Sequence, residues 1–367
     1  MARFYRKIGL KRLDTYIIAK FLGTFFFSIV LILSIAVVFD VVEKLDNFYE
    51  NNAPFQSIVV DYYLSFLPYY AYLFTPLFTF ISVIFFTSKM ANNTEIVAIL
   101  ASGVSFKRLM RPYFISSLII TAFAFVLGAF VIPQSTETLI DFENTYINPH
   151  RKTINARNVQ LEVERGKVLY IERFEISENT GYRFSFEEFE GKTLVSRLTA
   201  DRVSWEGGCD WKLEDYTLRT FSGMHERLKR GSSMDLTIQI QPKEFYITAQ
   251  EAPQLSLTEL REHIKRQKQR GVGSIQAFED EYYRRFSTSV SVLIMTLIGV
   301  SLSSRKIRGG MGINLGVGLA LSALYVLFTT MSTTFAVNGV MPTLLAVWIP
   351  NITFGIVAII LYIRAPK

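Results

Sequence analysis

Long stretches without a charged residue constrain the fold of this chain more than any other feature. Five runs contain no Asp, Glu, Lys or Arg, and they cover residues 21–39, 62–88, 112–136, 286–304 and 309–363. A helix needs about 20 apolar residues to cross the hydrocarbon core of a bilayer. The last run has 55 residues and a turn signal at 338–342, which is enough for two crossings. The sequence therefore predicts six transmembrane helices.

Basic residues beside these runs predict their orientation. Five of them precede the first run, namely Arg3, Arg6, Lys7, Lys11 and Arg12. Lysine and arginine accumulate on the cytoplasmic side of short loops, so the N-terminus is predicted inside. Six crossings then return the C-terminus to the same side. The first run is too long for a signal peptide and lacks an A-x-A site, so we interpret it as a retained span.

The composition changes between the third and fourth runs. Residues 137–255 show alternating apolar residues, as in Val159-Leu161-Val163 and Trp211-Leu213, with turn signals such as Gly207-Gly208. This pattern is typical of an all-β sandwich or open barrel. Three crossings precede it, so it is predicted outside. A connecting helix is predicted within 256–285, before the last three crossings in 286–367. Its charged part is Leu257–Gln269, introduced by Ser256 and ended by Gly271 and Gly273, and its charges indicate a solvated face.

The stretch between the second and third runs, within 1–136, predicts a short cytoplasmic helix near 92–106. Asn92 is placed to cap it, and Glu95 completes a capping-box pattern. Ile96, Ile99 and Leu100 recur at helical spacing, and Gly103 allows a sharp exit before a basic run. Two interpretations stay open: insertion into a groove on a soluble partner, or a helix resting on lipid headgroups.

The residues of this stretch also carry a family resemblance. E-x-x-A-x-x-A-S-G-V-S, followed by basic residues and proline, resembles the coupling-helix motif of the lipopolysaccharide-export permeases of LptF/LptG type. In this chain the motif consists of Glu95, Ala98, Ala101, Ser102, Gly103, Val104 and Ser105. The layout of three helices on each side of a β domain resembles that family over essentially the whole length.

The resemblance implies a helical inner-membrane protein with a periplasmic, jellyroll-like β domain and both termini in the cytoplasm. It implies ATPase subunits and a second homologous permease as partners, with lipopolysaccharide drawn into a cavity lined by the first and fifth crossings. A periplasmic bridge protein with its own β-jellyroll then receives the lipid. The motif residues, Val104 aside, are the candidates for contact with the ATPase.

A search for chemistry of the chain's own finds no site. Residues 191–193 resemble the end of a Walker A loop, but Phe186 stands where its first glycine belongs. Gly316 and Gly318 indicate close helix packing rather than phosphate binding. The single Cys209 and three scattered histidines match no metal motif. We expect a non-catalytic subunit without cofactor or metal, whose partner binds ATP, and the net charge of +7 needs no nucleic acid.

Substrate contacts are predicted from basic residues near the membrane. The candidates by position are Lys44, Arg151, Lys152, Arg284 and Arg285. Basic side chains at such depths also snorkel to ordinary headgroups, and that alternative stays open. The better-known family members carry lysines near the end of the first crossing, where this chain has Asp40 and Glu43 beside Lys44.

Two other classes of function remain as alternatives. The first is a membrane-anchored receptor or scaffold with a β domain and no transport activity. It predicts that the coupling motif can be lost without effect. An ion-coupled carrier requires acids or bases inside the membrane, against which the charge-free runs argue.

The topology is testable by cysteine labelling. Residues 137–285 are predicted outside, and the 89–111 loop inside, because of the basic flanks and the number of crossings. In intact cells, S232C should react with a membrane-impermeant reagent, and N93C should be protected. The reverse pattern would show an inverted topology.

Overall fold

The computed structural model describes residues 11–147, 156–175, 178–223, 225–242, 249–269, 275–305 and 310–365. The chain divides into two compact units, and the first joins Met1–Ile140 to Glu279–Lys367. The second unit is Asp141–Phe278. We describe each unit by itself.

Six helices among the described residues are long and apolar enough to cross a membrane. Spans one to six are Arg12–Glu50, Phe55–Asn92, Phe106–Ile147, Gln276–Ser303, Met311–Val337 and Thr343–Ile363. This confirms the prediction of six transmembrane helices. Span four begins at Gln276, upstream of its charge-free run, because residues 276–285 continue the same helix.

Span two is the centre of the first unit. It contributes Val83, Phe86 and Met90 to an apolar cluster with spans one and three, and Phe80 and Ile84 to a second cluster with spans four, five and six. In its most apolar window 67% of residues are buried, against 22% in spans one and five. Spans one and five therefore keep wide apolar faces exposed, for lipid or for another protein chain.

A buried hydrogen-bond network joins polar residues of three spans. The Asn351 amide donates to the Ser287 carbonyl at 2.8 Å and to its hydroxyl at 2.9 Å, and the Tyr325 hydroxyl donates to Asn351 Oδ1 at 2.9 Å. These bonds join spans four, five and six. A hydrocarbon layer offers such groups no other partner, so the network specifies how the three helices pack.

Two glycines of span five have different surroundings. A Cβ added at Gly318 would lie 2.3 Å from the Ile84 Cδ1 atom of span two, whereas one at Gly316 would meet nothing within 4 Å. The predicted close packing is therefore confirmed for Gly318, and Gly316 lies on the open face of the helix.

The second unit contains one antiparallel sheet. Its strands β1 to β6 are Ala156–Glu164, Lys167–Glu175, Thr180–Glu190, Thr193–Gly207, Asp210–Ser222 and His225–Thr237. Each strand pairs with its neighbour in the chain, which leaves β1 and β6 as the edges. This confirms the inserted all-β domain. Its described strands form one meander, however, rather than the two sheets of a sandwich, because short turns join every consecutive pair.

Buried residues of the sheet form the core of this unit. Ile171, Phe174, Val203 and Leu213 are buried there, and Trp211 donates its indole N–H to the Ile240 carbonyl at 3.2 Å. Val163, Trp211 and Leu213, which alternate in the sequence, thus belong to this core.

A further helix of this unit, Leu257–Gln269, matches the predicted charged helix. Its N-terminus is a capping box. The Ser256 amide donates to the Glu259 carboxylate at 2.8 Å, and the Glu259 amide donates to the Ser256 hydroxyl at 3.3 Å. The bond from the Ser256 amide holds the pKa of Glu259 below its usual range.

The contrast between the two glycines predicts the effect of a matched pair of substitutions. Gly318→Leu should lower the free energy of unfolding by roughly 1–3 kcal/mol, because it overpacks the contact with Ile84. Gly316→Leu adds the same side chain to open space and should leave the stability of the isolated subunit unchanged. Thermal unfolding in detergent measures both, and equal melting temperatures would contradict the packing argument.

Candidate functional site

A short helix, Glu95–Ala101, connects spans two and three. Its predicted cap is wrong: Asn92 is the last residue of span two, and Thr94 precedes the short helix without a side-chain cap bond. The reason is that span two continues past the expected boundary, so Thr94 makes the turn in the left-handed region, with φ of 62°. Gly103 has φ of +86°, which confirms the sharp exit expected from glycine.

The short helix and the turn after it present small side chains outward, together with the larger Val97, which is 55% exposed. Ile96 is buried in the apolar cluster of spans one to three. The exposed residues include five of the six predicted for ATPase contact, namely Ala98, Ala101, Ser102, Gly103 and Ser105. Short side chains here leave room for a second protein surface to approach the helix backbone.

Glu95, the sixth predicted residue, is half-buried and held in place. The Tyr16 hydroxyl of span one donates to Glu95 Oε2 at 3.3 Å, and the Asn93 amide donates to Oε1 at 3.2 Å. An ionised carboxylate accepts about four hydrogen bonds, so Glu95 retains acceptor capacity toward an incoming cation. The sequence did not reveal Tyr16, because the two residues are 79 positions apart.

A bidentate ion pair lies beside the short helix, and the sequence reasoning missed it as well. Arg108 of span three donates through both terminal nitrogens to the two oxygens of Asp14, each at 2.7 Å. The Asp14 side chain is 0% exposed, and its Oδ2 also accepts from the Lys11 amide at 2.8 Å. One signal was available: an acid in the first turn of an apolar span needs a cation nearby.

At the other end of span one, Lys44 lies within an internal network. Its ammonium is 3.0 Å from Asp40 Oδ1 and 4.8 Å from the centre of the Tyr62 ring. The hydroxyls of Tyr62 and Tyr63 donate to the same carboxylate at 3.1 and 3.2 Å. Asp40 therefore balances the charge of Lys44, whose side chain is 20% exposed.

The two arginines of span four differ in accessibility. Arg285 is 1% exposed, and its Nε donates to Glu281 Oε1 at 3.1 Å. Arg284 pairs with the other oxygen of Glu281, while 36% of its side chain remains exposed. The Arg284 side chain thus remains partly accessible, whereas Arg285 is internal. The other two candidates, Arg151 and Lys152, lie outside the described residues.

Arg284 and Glu281 line a cavity of about 420 Å³ in the first unit. Spans two, four and five supply most of its lining, and Ile132 of span three contributes. Hydroxyl groups of span five mark one side: Ser322, Tyr325, Thr329, Thr330, Thr333 and Thr334. The resemblance implied a cavity lined by spans one and five, but span one contributes no lining residue to this cavity within the described chain. Its size suits a small apolar ligand or part of a lipid chain.

The shared carboxylate predicts a large loss of stability when it is removed. Glu281→Gln removes the carboxylate that two guanidiniums share, and breaking a buried pair in this way costs about 3–5 kcal/mol. The control is Glu262→Gln, since Glu262 and Arg266 are 3.8 Å apart and both exposed, a pair worth at most about 1 kcal/mol. The fraction of monodisperse protein after heating compares the two, and equal losses would contradict a special role for Glu281.

Comparison with known proteins completes the description of the site. A family model described as lipopolysaccharide export system permease LptF/LptG matches residues 15–364. The match takes in the six spans, the short helix and the β domain. A search of curated proteins found no match. The chain therefore belongs to the LptF/LptG family of lipopolysaccharide export permeases and is a multi-pass protein of the inner membrane.

Proposed function

We propose that this chain is the permease subunit of an ATP-driven exporter, which extracts lipopolysaccharide from the inner membrane and passes it to a periplasmic bridge. The observation that carries the proposal is the short helix between spans two and three, with its exposed face of small residues. The membership of the chain in the LptF/LptG family supplies the substrate class. In this proposal the chain itself is non-catalytic and needs no cofactor, because a separate ATPase subunit binds ATP.

Contact with the ATPase is assigned to the short helix and the turn after it. Ala98 and Ser102 lie about one helical turn apart and are both exposed, so their side of the helix suits a groove on a soluble partner. Glu95 stands at the N-terminal end of this side, where its carboxylate is placed to meet an arginine or lysine of that groove.

Lipid binding is assigned to the exposed faces of spans one and five, completed by a second, homologous permease. Phe27, Phe39 and Val42 of span one, with Leu327 and Met331 of span five, are large apolar side chains open to such contact. Among the described basic candidates Arg284 fits best with a phosphorylated headgroup. Lys44 has Asp40 as its counter-charge, and the buried Arg285 serves to hold Glu281.

The β domain is assigned to the handover. Its edge strands β1 and β6 leave backbone N–H and C=O groups for a further strand, and the β-jellyroll of a bridge protein can continue the sheet there. In this arrangement the domain lies in the periplasm, and both termini lie in the cytoplasm.

Substitutions on the short helix test this function against the scaffold alternative. Ala98→Trp blocks close approach of a groove, and Glu95→Arg reverses the anchoring charge. Loss of a charge-assisted interface contact costs about 2–5 kcal/mol, so affinity for the ATPase should fall by at least roughly 30-fold. The measurements are recovery of the ATPase on co-purification and growth of a strain that depends on the variant.

The control for added bulk is Ser232→Trp, at an exposed position of β6. It should leave ATPase recovery unchanged, and all variants should still insert and fold, because the altered positions are not in the core. A double variant Glu95→Arg/Ala98→Trp that retained the ATPase and supported growth would refute the coupling assignment and favour a scaffold without transport activity.

A further inference from the structure

Span one is fastened to both ends of the loop that holds the short helix, although it is not adjacent to that loop in the chain. At the start of the loop, the Tyr16 hydroxyl donates to Glu95 at 3.3 Å. Beyond its end, Arg108 donates twice to Asp14 at 2.7 Å. Asp14 and Tyr16 belong to the first two turns of span one, so one short segment holds both sides of the loop.

We propose that these two contacts act as a clamp, which transmits movement of the short helix to span one. Asp14 and Arg108 are then positioning residues for export rather than residues that touch the lipid or ATP. The inference rests on the proposed function, in which an ATPase binds the short helix and moves it.

The geometry of the ion pair suits transmission of force. Two parallel N–H···O bonds fix the orientation of the guanidinium as well as its distance from the carboxylate. Asp14 is fully buried and 28% of the Arg108 side chain is exposed, so water reaches the pair only from the side of the arginine. Ser105 connects the pair to the loop, because its hydroxyl accepts from the Arg108 amide at 3.3 Å and caps the N-terminus of span three.

Apolar packing beneath the short helix reinforces the clamp. Ile96 is 1% exposed and belongs to the same cluster as Ile17 and Phe21 of span one and Phe106 and Leu109 of span three. A close-packed cluster of this kind resists sliding of one helix over another. A displacement of the short helix is therefore transmitted to spans one, two and three.

The clamp matters because covalent connection alone joins the short helix only to spans two and three. Span one carries the exposed apolar face assigned to lipid, which includes Phe27, Phe39 and Val42. The hydroxyls of Tyr62 and Tyr63 fasten its other end to span two through Asp40. Through the clamp, ATPase movement at the cytoplasmic end reorients the face that meets lipid.

The test uses the whole exporter reconstituted with lipopolysaccharide in vesicles, and it measures lipid extracted per ATP hydrolysed at equal amounts of assembled complex. The variants are Asp14→Asn, Arg108→Gln and the double Asp14→Asn/Arg108→Gln. The control is Lys107→Gln, an exposed neighbour that loses the same charge. Each clamp variant should lower the ratio by roughly tenfold, within the range for directly contacting pairs, while the control leaves it unchanged.

A purely structural role would lower the melting temperature and the yield without changing this ratio. The double variant should be no worse than either single one, because all three break the same interaction. Tyr16→Phe removes one hydroxyl at a partly exposed position without creating a buried charge, so it stays folded. It should lower the ratio by a smaller factor.

The clamp is refuted if every variant retains the wild-type ratio, or if the effects of Asp14→Asn and Arg108→Gln add. If the wild-type subunit in the same experiment recovers the ATPase and exports lipid, the proposed function stands although the clamp is refuted. If the wild-type subunit recovers no ATPase at all, the proposed function fails, and the clamp fails with it.

Discussion

The absence of hydrogen-bonding solvent in a hydrocarbon layer is the constraint on which the rest of this structure depends. It requires every backbone group in a span to be paired within its own helix, and it makes an unpaired side-chain charge costly. The long apolar helices answer the first requirement. Ion pairs meet the second requirement. Asp14 pairs with Arg108, Asp40 pairs with Lys44, and Glu281 pairs with both Arg284 and Arg285.

These pairs also specify how the helices are arranged, because apolar side chains alone distinguish poorly between one neighbouring helix and lipid. Asp14–Arg108 joins span one to span three, and the contacts of Asp40 with Tyr62 and Tyr63 join span one to span two. Asn351 does the same for spans four to six without any charge. Close packing at Gly318 adds the contact between spans two and five.

The candidate site depends on the same contacts. A helix of seven residues is too short to be stable alone in water, so the short helix needs the apolar cluster beneath Ile96 and the bonds to span one. The exposed side of the helix takes part in none of these contacts, so Ala98 and Ser102 are accessible to a partner. The proposed function uses this arrangement: the membrane subunit would receive mechanical work at the short helix and present an apolar face along span one.

The sequence by itself determined the six spans, the inserted β domain, the charged helix Leu257–Gln269 and the family, because hydropathy, alternation, capping residues and a short motif are local signals. Only the tertiary structure decided which residues meet across the chain. From the sequence, Arg108 was interpreted as one of several basic residues after the short helix. The structure places Asp14, which is 94 positions away in the chain, in direct contact with it. The acids that pair with Lys44 and Arg285 lie four positions earlier on the same helices, so these pairs are local, but the burial of Arg285 is a result of the tertiary structure. The end of span two at Asn92 and the meander of the sheet also depended on packing, since the length of a helix and the pairing of strands are determined by the elements packed against them.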